Sequence, residues 1–400
     1  MLNHKYRIYP NKKQIEKLNY NLELCRQTYN TLLGELNNQK VIDKSQIQGI
    51  IPDMKICEPE LKNAYSKALQ YESYRLFSNL RALAELKKNG NKVGRLRFKG
   101  KGWFSSMTYN QSGFKIEVTG KRCQTLHLSK IGEIPIRLHR NIKGNIKQII
   151  IKKYASGKWY AYVTIDGSNK KVEQREIKTA VGIDVGITNF TMDNNGTYTK
   201  HPLFLKNSLE KLAKENRRLA KKKKGSKNRL RQRVIRARIF EKVTNQRDNF
   251  LHQLSRRYVD AYDCIVVEDL NIKGLVGITY NARNMLDASW NRLVQYMSYK
   301  ALSAGKILIK VNPRGTSQRC SRCSKIVEKG LWVRTHKCPY CGLDLDRDHN
   351  SAKEILKLGL QSIGQELSDL KLVEREPLLL GASSLREAGS HILNTKGVRL

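Results

Sequence analysis

The chain reads as an α/β protein built in two parts, and three observations carry that reading. Apolar residues first follow a helical period, then a period of two from Val93 to Asp166. From Val181 onward short apolar strands alternate with helical stretches. Two Cys-x-x-Cys pairs then interrupt this second pattern before a last short helix. With 400 residues, 40% of them hydrophobic, the chain can bury sizeable cores and is not a disordered basic tail.

The elements follow in order. His4 to Tyr9 alternates basic and apolar residues before Pro10, which predicts a short strand. Amphipathic helices are predicted at about Lys12–Asn37 and Glu58–Lys88, with Pro52 and Pro59 breaking the interval. Ile149–Tyr154 and Trp159–Ile165 flank Ala155-Ser156-Gly157-Lys158, a hairpin signal. The first part is therefore expected to be a β-barrel-like module with helices inserted, spanning residues 1–170. Lys170–Lys178 reads as a charged linker. Beyond it, Val181–Ile187 is an apolar strand, Asp193-Asn194-Asn195-Gly196 a hairpin turn, and Ser208–Tyr258 a helical region interrupted at Gly225. Strands at Cys264–Leu270 and Ile307–Val311 bracket a helix near Ala288–Ala304. A helix from about Asp346 to Leu358 closes the pattern.

Charge narrows the function. Seventy-six Lys and Arg against 35 Asp and Glu give a formal net charge of +41, self-repulsive without a polyanionic partner. Fifteen bases face only Glu210 and Glu215 between Lys206 and Arg238, and seven bases face no acid between Lys87 and Lys101. A solvated helix face mixes signs, and these clusters do not. The residues expected to meet phosphate are Lys221, Lys222, Lys223, Lys224, Arg229, Arg231, Arg97 and Lys99. No apolar run approaches a membrane span, and Met1–Arg7 has no apolar signal core, so a cytoplasmic, nucleoid-associated protein is expected. A membrane protein, a secreted disulfide scaffold and an ordinary small-molecule enzyme are excluded. Nucleic acid is the expected partner.

Cys320-Ser-Arg-Cys323 and Cys338-Pro-Tyr-Cys341, fourteen residues apart, present four thiolates with the spacing of a structural zinc site. Four protein ligands leave no open position, so this zinc holds structure. His336 lies between the pairs as a lesser alternative ligand. Cys25, Cys57, Cys123 and Cys264 read as buried small hydrophobes.

Acids are scarce, yet Asp184 and Glu268 sit inside apolar strands, where an unpaired carboxylate costs several kcal/mol. A third acid, Asp348, opens the last helix. Pairing with arginine would explain one such acid; three in this arrangement suggest a metal site. Facing carboxylates repel unless divalent cation neutralises them, and two Mg²⁺ ions are the known solution for phosphodiester cleavage. In a chain this basic the acids read as a nuclease. Periodicity puts Glu268 on one strand face and Asp269 on the other without saying which is active, and spacing does not choose between Asp346 and Asp348.

Gly182-Ile-Asp184-Val-Gly-Ile-Thr-Asn189, Val266-Val-Glu268-Asp-Leu270, the double Cys-x-x-Cys module and Asp346-Arg-Asp348-His-Asn-Ser-Ala352 occur in the order of the split RuvC nuclease of the TnpB (OrfB) family. The chain resembles these insertion-sequence proteins, which are related to type V CRISPR effectors. Tyr6–Pro10, Arg97-Phe98-Lys99, Asn245–His252, Ala288–Trp290, Tyr299–Ala301 and Thr316–Cys320 are also similar to family segments. The resemblance implies an RNase H-like (RuvC) nuclease domain at 179–312 and 346–358, a zinc ribbon at 313–345 and a tail at 359–400. The first 170 residues would then be a wedge-like barrel with a helical insertion. It implies that Asp184, Glu268 and Asp348 hold catalytic magnesium (or manganese), with a guide RNA from the transposon end directing cleavage of double-stranded DNA. The alternative is a nuclease-inactive guided DNA-binding repressor or transposition accessory protein, which loss of an acid would mark; all three are present. Ser324 stands where the family usually has Gly, so strain is expected in the first knuckle.

Overall fold

The computed structural model describes residues 2–38, 43–119, 123–166, 176–278, 282–330 and 332–365. The chain forms two compact units, Met1–Asn169 with Arg233–Ala237, and Lys170–Gln232 with Arg238–Leu400.

In the first unit, β1 (Leu2–Ile8) leads into α1 (Lys12–Asn38), α2 (Lys44–Cys57) and α3 (Ser66–Lys88). Six strands follow: β2 (Ser106–Asn110), β3 (Phe114–Thr119), β4 (Cys123–Leu128), β5 (Gly132–Arg137), β6 (Ile146–Lys153) and β7 (Trp159–Ile165). They join β1 in a seven-stranded sheet of order β2-β6-β7-β1-β5-β4-β3, all pairs antiparallel. Among the described residues no ladder joins β2 to β3, so the sheet is hydrogen-bonded as an open one where a barrel was expected. Alternation along β6 and β7 sends Ile149, Ile151, Ala161 and Val163 into one core with Leu18, Leu22 and Leu32 of α1 and Leu69 and Leu76 of α3.

Pro52 does not break the chain as expected; it lies inside α2. Asp43 caps that helix by accepting from the Ser45 N–H at 2.7 Å, and Ile47, Ile51 and Met54 bury one face. That burial offsets the roughly 3 kcal/mol an interior proline costs. Cys57 also departs from expectation, being exposed at the helix end, while Cys25 and Cys264 are buried. The Cys123 side chain, most of the charged linker and the tail beyond residue 365 lie outside the described residues.

In the second unit, β8 (Ala180–Val185), β9 (Asn189–Asp193) and β10 (Tyr198–Lys200) form a meander turned by Gly196 at φ +83°. The helical region divides at Gly225, φ +84°, into α4 (Leu209–Ala220) and α5 (Lys227–Ala261). Then come β11 (Cys264–Glu268), short helices α6 (Ile272–Ile278) and α7 (Ala282–Ala288), α8 (Trp290–Ser303) and β12 (Ile307–Val311). β13 (Thr335–Lys337) pairs with β14 (Asp344–Asp346), which runs into α9 (Arg347–Gln361). α9 continues past the expected Leu358 because Gly359 and Leu360 are buried.

The main sheet has the order β10-β9-β8-β11-β12, with β8, β11 and β12 parallel. Val181, Ile183, Ile265 and Val267 face a core shared with Phe250, Leu254 and Tyr258 of α5 and Leu293 and Met297 of α8. Cys264 and Val266 face the other way, onto Ile355, Leu356 and Leu360 of α9. Two glycines make that second contact close. A Cβ at Gly182 would lie 2.3 Å from the Ala352 carbonyl oxygen, and one at Gly359 2.4 Å from Val266 Cγ1. The helix backbone therefore lies directly on β8.

Gly182→Ala must push α9 off the strand, and is expected to cost about 1–3 kcal/mol or more in urea unfolding; an unchanged midpoint would refute the contact. In the first unit Glu72 is fully buried, 3.1 Å from Arg75. Burial pushes its carboxyl up to about 8, against the pull of Arg75 and Cys25. The native state then keeps a proton that the unfolded chain releases above about 4.5, so stability falls as pH rises through that window. Glu72→Gln should raise Tm relative to wild type more at pH 8 than at pH 5; an equal effect at both would exclude the buried proton.

Candidate functional site: three carboxylates beside a thiol cluster

The parallel register that aligns Val267 with Ile183 carries the next residues, Glu268 and Asp184, to the same level on adjacent strands. Both continue the face that α9 covers, Asp184 after Gly182 and Glu268 after Cys264 and Val266. On β11 the face shared with Asp184 is that of Glu268. Asp269 points away, is exposed and pairs with Lys310 at 2.9 Å.

Because Ala352 lies on Gly182, the first turn of α9 falls over the strand ends, and Asp348 comes with it. Its side chain is 14% exposed, and Oδ2 lies 4.0 Å from the Cβ position of Gly186. Asp346 is already used. It caps α9, accepting from the N–H groups of Asp348 at 2.9 Å and His349 at 3.1 Å. Of the two acids that spacing left open, Asp346 is the one engaged in local capping.

Electrostatics report the grouping. The Asp184 carboxyl is held well above the ordinary range, first by burial and then by the charges of Glu268 and Asp348, with Arg347 opposing. Burial raises Glu268 as well, and the Thr316 hydroxyl, which donates to Glu268 Oε1 at 2.5 Å, lowers it. Arg334 and Arg347 each stand 3.7 Å from Asp348, and Arg334 also donates to the Thr188 hydroxyl at 3.2 Å. Thr316, Arg334 and Arg347 were not singled out from the sequence; Thr316 falls in the Thr316–Cys320 segment that resembles the family, where no role could be read.

Not every strand acid belongs to this group. Asp193 is buried and its carboxyl is raised to about 6 by that burial, but it accepts from Asn195 and Thr197 N–H groups at 3.0 and 2.9 Å. It closes the β9–β10 turn. Glu354 is buried in α9 and paired with Arg319 at 3.3 Å.

The four thiols of Cys320, Cys323, Cys338 and Cys341 lie within 4.8 Å of one another, with Sγ–Sγ separations of 3.6 Å across both pairs. Among the described residues no other group of three or more His, Cys, Asp or Glu ligand atoms is that tight, so the three carboxylates stand wider apart than the thiols. Each knuckle closes alike: the Ser324 N–H donates to the Cys320 carbonyl at 2.8 Å, and the Gly342 N–H to Cys338 at 3.0 Å. Both residues take left-handed φ, +61° and +69°, so Ser324 carries the strain expected of a side chain in a glycine position. Lys357 of α9 donates to its hydroxyl at 2.6 Å. Asn350 ties the module to α9, accepting from the Ser321 N–H at 3.0 Å and donating to the Arg319 carbonyl at 2.8 Å. His336 is buried against Lys329 rather than among the thiols.

Of the residues expected to meet phosphate, Lys221, Lys223, Lys224, Arg231 and Arg97 are exposed, and Lys222 and Lys99 half-buried. Arg229 spends its guanidinium on the Leu219 and Lys222 carbonyls, both at 2.8 Å, pinning α4 to the start of α5.

The thiol geometry fits Zn²⁺, whose tetrahedral sulfur shell requires contacts of this kind. Metal analysis of the purified chain is expected to find about one zinc per molecule, and Cys320→Ser to lose it on mild chelation. A wild-type chain free of zinc would contradict the assignment.

Residues 163–279 match the OrfB_IS605 family model, described as "Probable transposase". Residues 290–355 match a Cas12f1-like TNB domain, and residues 1–39 match a model described as a helix-turn-helix domain, where the structure has β1 and α1. A Streptomyces pristinaespiralis protein named "Putative RNA-guided DNA endonuclease" is 28% identical over 392 residues, covering 96% of this chain and 95% of its own. InsQ of Escherichia coli K12, named likewise, is 26% identical over 70% of this chain and 73% of its own. The CRISPR-associated endodeoxyribonuclease Cas12f1 of Sulfoacidibacillus thermotolerans is 34% identical over 122 residues, 29% of this chain and 28% of its own. Along most of its length the chain is therefore similar to OrfB_IS605-type proteins and to relatives named as RNA-guided DNA endonucleases.

Proposed function

We propose that this chain is an RNA-guided endodeoxyribonuclease whose catalytic residues are Asp184, Glu268 and Asp348. The observation that carries the reading is the meeting of these three carboxylates at the ends of β8 and β11 beneath α9, where burial first and then the charges of Glu268 and Asp348 raise the cost of charging Asp184. Hard oxygen donors that repel one another fit magnesium or manganese, which relieves the repulsion. When bound, such ions supply an activated water and neutralise the leaving oxygen of a phosphodiester.

The chain's own residues prepare that chemistry. The Thr316 hydroxyl fixes Glu268 and favours its ionised form. Asp348 lies in the first turn of α9, where the helix dipole favours a negative charge. Arg334 brings a half-exposed guanidinium to the rim of the acids, where a phosphate would arrive.

On this reading residues 179–312 and 346–358 are the two parts of an RNase H-like (RuvC) domain, which the mixed sheet with three parallel strands supports. Residues 313–345 are a zinc ribbon, and residues 1–170 a wedge-like module gripping nucleic acid. A guide RNA from the transposon end and double-stranded target DNA are the partners. The net charge of +41 suits holding both. No helix among the described residues is long and apolar enough to cross a membrane.

The test is plasmid cleavage by the protein co-expressed with RNA from its own 3′ flank. Cutting should require that RNA and Mg²⁺ and stop with EDTA. Asp184→Asn should lower the rate about 10²-fold or more, the several kcal/mol that such metal centres supply, while Asp269→Asn and Asp346→Asn keep most of it. Guided binding without cutting by the wild type would overturn the nuclease reading in favour of a repressor.

A further inference from the structure

The segment between α3 and β2 holds two exposed aromatic side chains that its packing does not explain. Phe98 is 60% exposed and Trp103 74% exposed. Leaving such rings in water forgoes about 1.5–3 kcal/mol each. The loop that carries them is nevertheless pinned. The Lys99 N–H donates to Asn30 Oδ1 at 2.8 Å, and its carbonyl accepts from Arg26 at 2.7 Å and Asn30 at 3.0 Å. Leu96 and Phe104 pack on the core, Phe104 5.6 Å from Tyr29 and 4.9 Å from the Arg75 guanidinium. Between these anchors the Trp103 N–H donates to the Gly100 carbonyl at 3.2 Å, and the indole stands 3.3 Å from the Gly100 Cβ position. Gly102, at φ +78°, permits the turn.

The loop is therefore fixed by its backbone with its rings held outward. Around them Lys92, Arg95, Arg97 and Lys101 are exposed, and among the described residues Arg95 and Arg97 have no acidic partner. Exposed rings beside unpaired cations match a ligand that offers both phosphate and a free π-face. A duplex offers the phosphate but hides its base faces. An unpaired nucleotide offers both.

We propose that Phe98 and Trp103 form a stacking platform for unpaired bases, with Arg95, Arg97 and Lys101 on the adjoining phosphates. The proposal rests on the nucleic-acid reading above and deepens it. Because every base has a π-face, the platform is indifferent to sequence and serves unpaired RNA or displaced DNA alike.

The test uses the full-length chain and three fluorescein-labelled probes: an unstructured oligo(U), an oligo(dT) of the same length and a blunt DNA duplex. Anisotropy reads affinity, and the tryptophan emission of wild type minus Trp103→Ala isolates this indole from Trp332, which is also exposed. Trp103→Ala is expected to weaken one or both single-stranded probes about tenfold and leave the duplex unchanged. Trp103→Phe should restore most of the affinity, and the Trp103 emission should be quenched by the single-stranded probes. The weaker of the two single-stranded arms tells RNA from DNA. Equal loss on all three probes, or none on the single strands, overturns the platform while nucleic-acid binding stands. Failure of wild type to bind any probe overturns the nucleic-acid reading and the platform with it.

Discussion

The contact between α9 and the β8–β11 pair governs the rest of the second unit. It is tight because two positions carry no side chain: Gly182 lets the Ala352 carbonyl approach the strand, and Gly359 makes room for Val266. Gly182 stands two residues before Asp184 and Gly359 eleven after Asp348, and together they set where the helix begins and hence where Asp348 stands. Three carboxylates then share a partly buried space, and the repulsion among them is borne by the apolar burial of Ile355, Leu356 and Leu360 beneath the same helix. Like charges gathered in this way need a counter-charge of their own. Arginines at 3.7 Å supply part of it to Asp348, and a divalent cation would supply the rest.

The thiol cluster is attached to the same helix rather than hung apart from it. Asn350, Glu354 and Lys357 of α9 reach the module at Arg319, Ser321 and Ser324. Thr316, a few residues before the first thiol, holds Glu268. A knuckle organised by zinc would therefore fix one acid through Thr316 and another through the start of α9. The thiol cluster and the three acids differ in chemistry and are joined in mechanics.

Much of this was legible because the informative residues break a local rule. Asp184 and Glu268 stand out as charges in apolar strands, and the Cys-x-x-Cys spacing encodes its own geometry. Turn chemistry was legible for the same reason, at Asp193–Gly196 and at Gly225. The face of β11 was not legible, since a strand buried on both sides has no polar face to betray it. Nor could spacing show that Asp346 is consumed by capping, which depends on where the helix starts. Pro52 misled because the burial of Ile47, Ile51 and Met54 outweighs its local cost. Arg229, counted among phosphate contacts from its basic surroundings, turned out to hold backbone carbonyls. Charge density finds the surface but not the purpose of each side chain.

Where a divalent cation sits in the folded chain tests the three-carboxylate site most directly. Iron(II) exchanged into a magnesium site reduces added hydrogen peroxide to hydroxide and a hydroxyl radical, ascorbate regenerates the iron(II), the radical cuts the backbone near the ligands, and mass spectrometry locates the cuts. Cuts are expected around Asp184, Glu268 and Asp348 together, absent from Asp184→Asn and retained in Asp269→Asn. Cuts confined to other segments, or the same pattern in Asp184→Asn, would contradict it.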